Sequence, residues 1–142
     1  MTASPTTDPG IPQAEASDPQ ASAWVTANAG SGKTKVLIDR VARVLLGQGE
    51  VAPDPSRILC LTFTKAAAAN MQNKLFAQLG SWALMEDDAL REELRKLGVS
   101  EAVNLTGART LFAQALETPG GLKIQTIHAF CESLLRRFPL EA

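Results

Sequence analysis

Large apolar residues are scarce at the start of the chain and then, from Ala23 onward, recur in orders that suit strands and helices. Ala23-Trp24-Val25-Thr26-Ala27 reads as a short strand. A glycine loop follows it, after which Leu37, Ile38, Val41, Val44 and Leu45 recur at helical spacing. Gly47 and Gly49 stop that helix, and Pro53 and Pro55 occupy the connection beyond it. Arg57 to Phe63 is a near-continuous apolar run of strand length, the pattern of a strand covered on both faces in a parallel sheet. A second helix is predicted from about Lys65 to Leu79, with Ala68, Met71, Leu75 and Leu79 on one face. Residues from about 81 to 118 look helical but more polar, and read as a helical insertion outside the sheet. Pro119-Gly120-Gly121 breaks it, Leu122-Lys123-Ile124-Gln125 reads as a third strand, and Thr126 to Phe138 as a third helix. Strands alternating with helices over long crossovers predict an α/β fold, a parallel sheet with flanking helices.

Residues 1–12 are rich in Thr, Pro, Ser and Asp and carry almost no large apolar side chain, so they are expected to form a disordered leader. That leaves residues 13–142 as one domain, which the total length of 142 residues suits. No apolar run approaches the roughly 20 residues that span a bilayer, and no basic segment with an apolar core marks a secretory signal. A cytoplasmic protein is the expectation. Cys60 and Cys131 lie in apolar segments without the paired spacings of a zinc site, so both are expected to be buried small hydrophobes. The formal net charge of -1 supplies no bulk attraction to nucleic acid, and any such binding must come from local sites.

One local site is explicit. Ala27-Asn28-Ala29-Gly30-Ser31-Gly32-Lys33-Thr34 matches the phosphate-binding P-loop, except that Ala27 stands where the pattern has its first glycine. Gly30 and Gly32 let the backbone curl so that successive N–H groups point at a phosphate, and the following helix N-terminus adds partial positive charge there. Lys33 reaches the β- and γ-phosphates as a point charge, and the Thr34 hydroxyl takes one position on Mg²⁺. The bland alternative is a glycine turn joining strand to helix, with Lys33 solvated. Its placement between a short strand and an amphipathic helix favours nucleotide binding.

Two further segments place polar and aromatic residues where a strand gives way to a helix, the position at which open α/β sheets bind ligands. In Leu61-Thr62-Phe63-Thr64-Lys65, Phe63 is suited to stack on an unpaired base, while Thr64, Lys65 and the helix amides are suited to a phosphate. Equally, Phe63 fits a core aromatic and Thr64 a helix cap. In Thr126-Ile127-His128, hydroxyl and imidazole again stand at such a junction and suit a DNA backbone. His128 is a poor candidate for catalysis or metal binding, since the sequence places no carboxylate or second ligand beside it. Arg136 and Arg137 read as a solvated helix end that complements the helix dipole.

Taken together, Ala27 to Thr34, Leu61 to Met71 and Thr126 to Cys131 resemble motifs I, Ia and Ib of the UvrD-like superfamily 1 DNA helicases. The wording around Ala23-Trp24-Val25 and Gly121 to Cys131 is most similar to the AddA-type helicase-nuclease subunits of bacterial double-strand-break repair. The resemblance runs from about Gln13 to Ala142. It implies a RecA-like P-loop NTPase sheet, ATP and Mg²⁺ as cofactors, single-stranded DNA and duplex ends as substrates, 3′-to-5′ translocation, and an AddB-type partner subunit. It places nucleotide contacts on the loop from Ala27, Asn28 and Ala29 through Gly30, Ser31 and Gly32, with Lys33 and Thr34 in the catalytic machinery. The base-stacking aromatic falls on Phe63, and DNA-backbone contacts on Thr62, Thr64, Thr126 and His128, beside the lysine Lys65. An adenine-reading glutamine falls on Gln13, with Gln20 the lesser candidate. Asn70 departs from the family's usual Ala-Glu-Met at this point.

The acidic pair and transition-state arginines of such motors are not identifiable in this sequence. Glu86-Asp87-Asp88 precedes the third strand, whereas the family's acidic pair follows motif Ib, so these residues read as a solvated helix surface. The chain is therefore expected to be the amino-terminal part of a larger motor. A non-catalytic nucleotide-binding remnant of the same family is the alternative, and an unrelated P-loop kinase ranks third.

Overall fold

The computed structural model describes residues 10–26, 28–30, 32–47 and 54–138. Helix α1 spans Gly10–Ala16, α2 Lys33–Leu46, α3 Lys65–Leu84, α4 Asp87–Lys96, α5 Leu105–Glu117 and α6 Ile127–Arg137, with strands β1 at Leu59–Thr62 and β2 at Lys123–Thr126. The two strands pair in parallel, Leu59 with Lys123, Cys60 with Ile124, Leu61 with Gln125 and Thr62 with Thr126. Helices α3, α4 and α5 form the crossover between them.

The core lies between α2, α3, α4 and α5, where Ile38, Leu45, Leu75, Leu79, Trp82, Leu90, Leu94 and Leu111 pack together. Val36, Ile38, Val41, Ala42 and Leu45 form the buried stripe of α2. Leu37, expected on that stripe, is instead exposed. Among the described residues, no helix is long and apolar enough to cross a membrane.

Several expectations are corrected. Gly10, Ile11 and Pro12, assigned to the leader, open α1. Pro12 fits the first turn, where its missing N–H forfeits no helical bond. The rest of the expected leader lies outside the described residues. Ala23–Thr26 form no strand, and Trp24 is 94% exposed. A strand needs a neighbour to pair its backbone groups, and none is beside this segment in the described sheet.

The run from Arg57 to Phe63 is shorter as a strand than its apolar content suggests, because Pro55–Arg57 form a 3-10 turn capped by Asp54. It is also covered on one face only. Cys60 faces the α3 side and is buried, whereas Leu59 and Leu61 each remain 41% exposed. Helix α3 continues through Gly80 to Leu84, past the expected end at Leu79. One glycine weakens a long helix without stopping it when both sides of it bury Leu79 and Trp82.

Candidate functional site

The candidate phosphate loop is built on the first turn of α2. Gly30 and Gly32 have φ values of 80° and 83°, the left-handed region that glycine enters without steric cost. Gly32 caps α2 without a side-chain hydrogen bond of its own. Lys33 Nζ donates to the Asn28 carbonyl at 2.8 Å, folding its ammonium across the loop. Thr34, Asn28 and Ala29 are exposed, while Ala27 and Ser31 lie outside the described residues. A cleft of ≈ 500 Å³ beside Lys33 is lined by Val25, Val36, Leu37 and Arg40.

Gln13 is half-buried on α1, and its Nε2 lies 3.6 Å from where a side-chain carbon on Gly32 would stand. The helix that carries Gln13 therefore lies directly against the phosphate loop. Gln20 is exposed, and its backbone N–H donates to Asp18 Oδ1 at 2.9 Å.

Sequence reasoning missed the residues that hold α1 in place. Arg40 donates to the carbonyls of Ala16 (3.2 Å), Asp18 (2.7 Å) and Ala21 (2.6 Å). Arg43, which is 5% exposed, donates to the Ala14 carbonyl at 2.8 Å and to Ser17 Oγ at 3.0 Å. Asp39, also buried, is held by Lys35 at 2.8 Å and by Gln78 at 3.5 Å. The available signal was periodic: Val36, Asp39 or Arg40, and Arg43 repeat at the spacing of a single helix face, so charge falls where a core stripe would continue.

The second site is an edge of the sheet. Because Thr62 is registered with Thr126, the two strands end side by side and each passes straight into a helix. Phe63 stands just beyond β1 and is 87% exposed, outside the core formed by the described residues. Thr64 caps α3, its hydroxyl accepting from the Ala67 N–H at 3.1 Å. Thr62 Oγ1 donates to the Thr64 carbonyl at 3.0 Å and fixes the turn that presents Phe63. Thr126 caps α6 in the same way, accepting from the Ala129 N–H at 3.2 Å. Both cap hydroxyls keep a hydrogen to donate to an anion. Thr126 is buried, whereas Lys65 and His128 are exposed on the two helix first turns.

Other expected features divide. Cys60 is buried, and burial pushes its thiol above the usual range, but Cys131 is exposed on α6, a helix with no buried residue. The expectation that Cys131 is buried fails because no described element covers that face of α6. Glu86, Asp87 and Asp88 are exposed, and Arg109 bonded to Asp87 at 2.6 Å holds that carboxyl below the ordinary range. Arg136 and Arg137 are exposed in the last turn of α6.

The profile of the UvrD/REP helicase N-terminal domain matches residues 10–142. Among curated proteins, an ATP-dependent helicase/nuclease subunit from Lactobacillus acidophilus is 36% identical over 114 residues, which cover 80% of this chain and 8% of that protein. The protein of the same name from Limosilactobacillus reuteri is 37% identical over 114 residues, covering 80% and 7% respectively. That from Geobacillus kaustophilus is 35% identical over 114 residues, covering 80% and 8%. The chain thus spans less than a tenth of the length of these relatives. No solved structure matches it. The matched region takes in the Gln13 helix, the phosphate loop and both strand-end junctions, and the chain belongs to the UvrD/REP helicase N-terminal domain family.

Proposed function

We propose that the natural protein is an ATP-dependent DNA helicase of double-strand-break repair, translocating 3′ to 5′, and that these residues bind ATP and form part of its single-stranded DNA track. The observation that carries the reading is the paired strand-end edge. An 87% exposed Phe63 beside two threonine-capped helix N-termini packs into no core among the described residues, yet combines an aromatic platform with anion-binding amides. Phe63 stacks on a base in this reading, while Thr62, Thr64, Lys65, Thr126 and His128 bear on the DNA backbone.

The phosphate loop supports the ATP half. Residues Ala27 to Gly32 wrap the phosphates with backbone N–H groups, Lys33 exchanges the Asn28 carbonyl for phosphate oxygen, and Gln13 reads adenine. The loop also fits Mg²⁺. Thr34 is exposed on the first turn of α2, so its hydroxyl is accessible and would hold the ion together with the nucleotide's phosphates. Mg²⁺ supplies neutralisation of the charge that develops on the transferred phosphoryl group. A RecA-like sheet, an AddB-type partner, duplex DNA ends as substrate and a cytoplasmic location complete the proposal, and rest on the resemblance to the relatives.

The test is Phe63→Ala in the natural protein at its full length. Single-strand affinity should fall by about 1–3 kcal/mol and DNA should stimulate ATPase less. Because Phe63 is exposed, thermal stability should change by no more than about 0.5 kcal/mol. Unchanged DNA affinity in a stably folded variant would remove the stacking role.

A further inference from the structure

We infer that Arg40 and Arg43 are positioning residues that set the preference for adenine by clamping the Gln13 helix onto the phosphate loop. The inference rests on the reading of Gln13 as the adenine contact. Helix α1 has only Gly10–Ala16, too short to hold itself together in water. Its last carbonyls have no partners within the helix and must find them elsewhere. Two arginines from α2 supply them for Ala14 and Ala16, while the following backbone serves Gln13 and Glu15. Arg43 donates to Ala14 O at 2.8 Å, one residue from Gln13, and Arg40 donates to Ala16 O and to the carbonyls of Asp18 and Ala21 that follow.

Ser17 completes the clamp. Its hydroxyl donates to Ala14 O at 3.0 Å and accepts from Arg43 at 3.0 Å, while its backbone N–H donates to Gln13 O at 3.0 Å. Arg43 also lies 3.8 Å from Asp18 Oδ1 and reaches the Gly98 carbonyl at 3.5 Å. Its Nε is buried with no hydrogen-bond partner among the described residues. A buried arginine with an unmet donor is a costly way to hold a surface helix, and an apolar side chain would serve packing better. What the guanidinium adds is a fixed fork that sets the distance and rotation of α1 against α2. Since α2 begins with Lys33 and Thr34, one rigid rod carries the phosphate contacts in its first turn and the clamp one to two turns further on. Base and phosphate recognition are thereby registered to each other.

The experiment measures the affinity of the natural full-length protein for ATPγS, GTPγS and inorganic tripolyphosphate, each with Mg²⁺, in the wild type, Arg40→Ala, Arg43→Ala and Gln13→Ala. Tripolyphosphate reports the phosphate loop alone. Both arginine variants should lose about tenfold or more in ATPγS affinity and most of the ATPγS-over-GTPγS preference, while tripolyphosphate affinity stays within about twofold. Arg40→Lys, which retains a donor, should recover part of the preference. Parallel loss of ATPγS and tripolyphosphate would show that the arginines merely support the fold, and a retained preference would show that they do not position the reader; either overturns the clamp. If Gln13→Ala loses the preference but the arginine variants keep it, only the clamp falls. If Gln13→Ala itself keeps it, the adenine assignment falls as well. Arg40 is only half-buried, so Arg40→Ala decides the matter should Arg43→Ala fail to fold.

Discussion

Lys33 and Phe63 show how differently two side chains can be read before and after their surroundings are known. The reading of the lysine rests on its neighbours: two glycines with positive φ and a helix start make a position suited to an anion. In the natural protein, Lys33→Ala should abolish nearly all ATPase activity, and wild-type turnover in that variant would refute the phosphate-loop assignment. Phe63 was not legible, since an aromatic at the end of an apolar run fits a core and a platform equally well. Its 87% exposure keeps it out of the described core. Arg40 and Arg43 escaped notice altogether, because a basic residue on an amphipathic helix ordinarily points to water. Only the carbonyls they reach, which belong to a helix some twenty to thirty residues earlier, reveal the contrary.

At the scale of the element, helices were easier to foresee than strands. The stripes of α2 and α3 satisfy most of their burial within the chain itself, so pattern and outcome agree at Ile38, Val41, Leu45, Met71, Leu75 and Leu79. A strand depends on neighbours. Ala23–Thr26 has a strand-like composition and no partner, and β1 is covered on only one of the two faces that its apolar run suggested. Helix α3 runs past its expected end at about Leu79, because burial of Trp82 in the next turn outweighs the low helix propensity of Gly80. A side-chain carbon on Gly80 would meet the Phe112 ring at 3.5 Å, an ordinary contact. Gly80→Ala should therefore stabilise the fold by about 0.5–1 kcal/mol through the restricted unfolded chain, seen as a raised melting temperature. A lowered one would mean that the α3–α5 contact has no room for a methyl group.

Across the whole molecule, the α/β architecture came through as a parallel pair of strands joined by helices. What pattern could not convey was that the more polar helices α4 and α5 help build the core, with Leu90, Leu94, Leu111 and Ala115 buried against α2 and α3. The strand register has a further consequence, for the order of folding. β1 and β2 are separated in sequence by all of α3, α4 and α5, whereas α3 and α5, which pack together, are separated by α4 alone. Loop closure delays contacts between distant residues, so the helical crossover should condense first and the two-stranded ladder last. In pulsed hydrogen exchange during refolding, amides of α3 and α5 should gain protection before those of Cys60–Thr62, and simultaneous protection would contradict this order. The edge that carries Phe63 and Thr126 would then be the latest part of the chain to take shape, so a nascent protein would present its proposed DNA-binding edge only once its core had already formed.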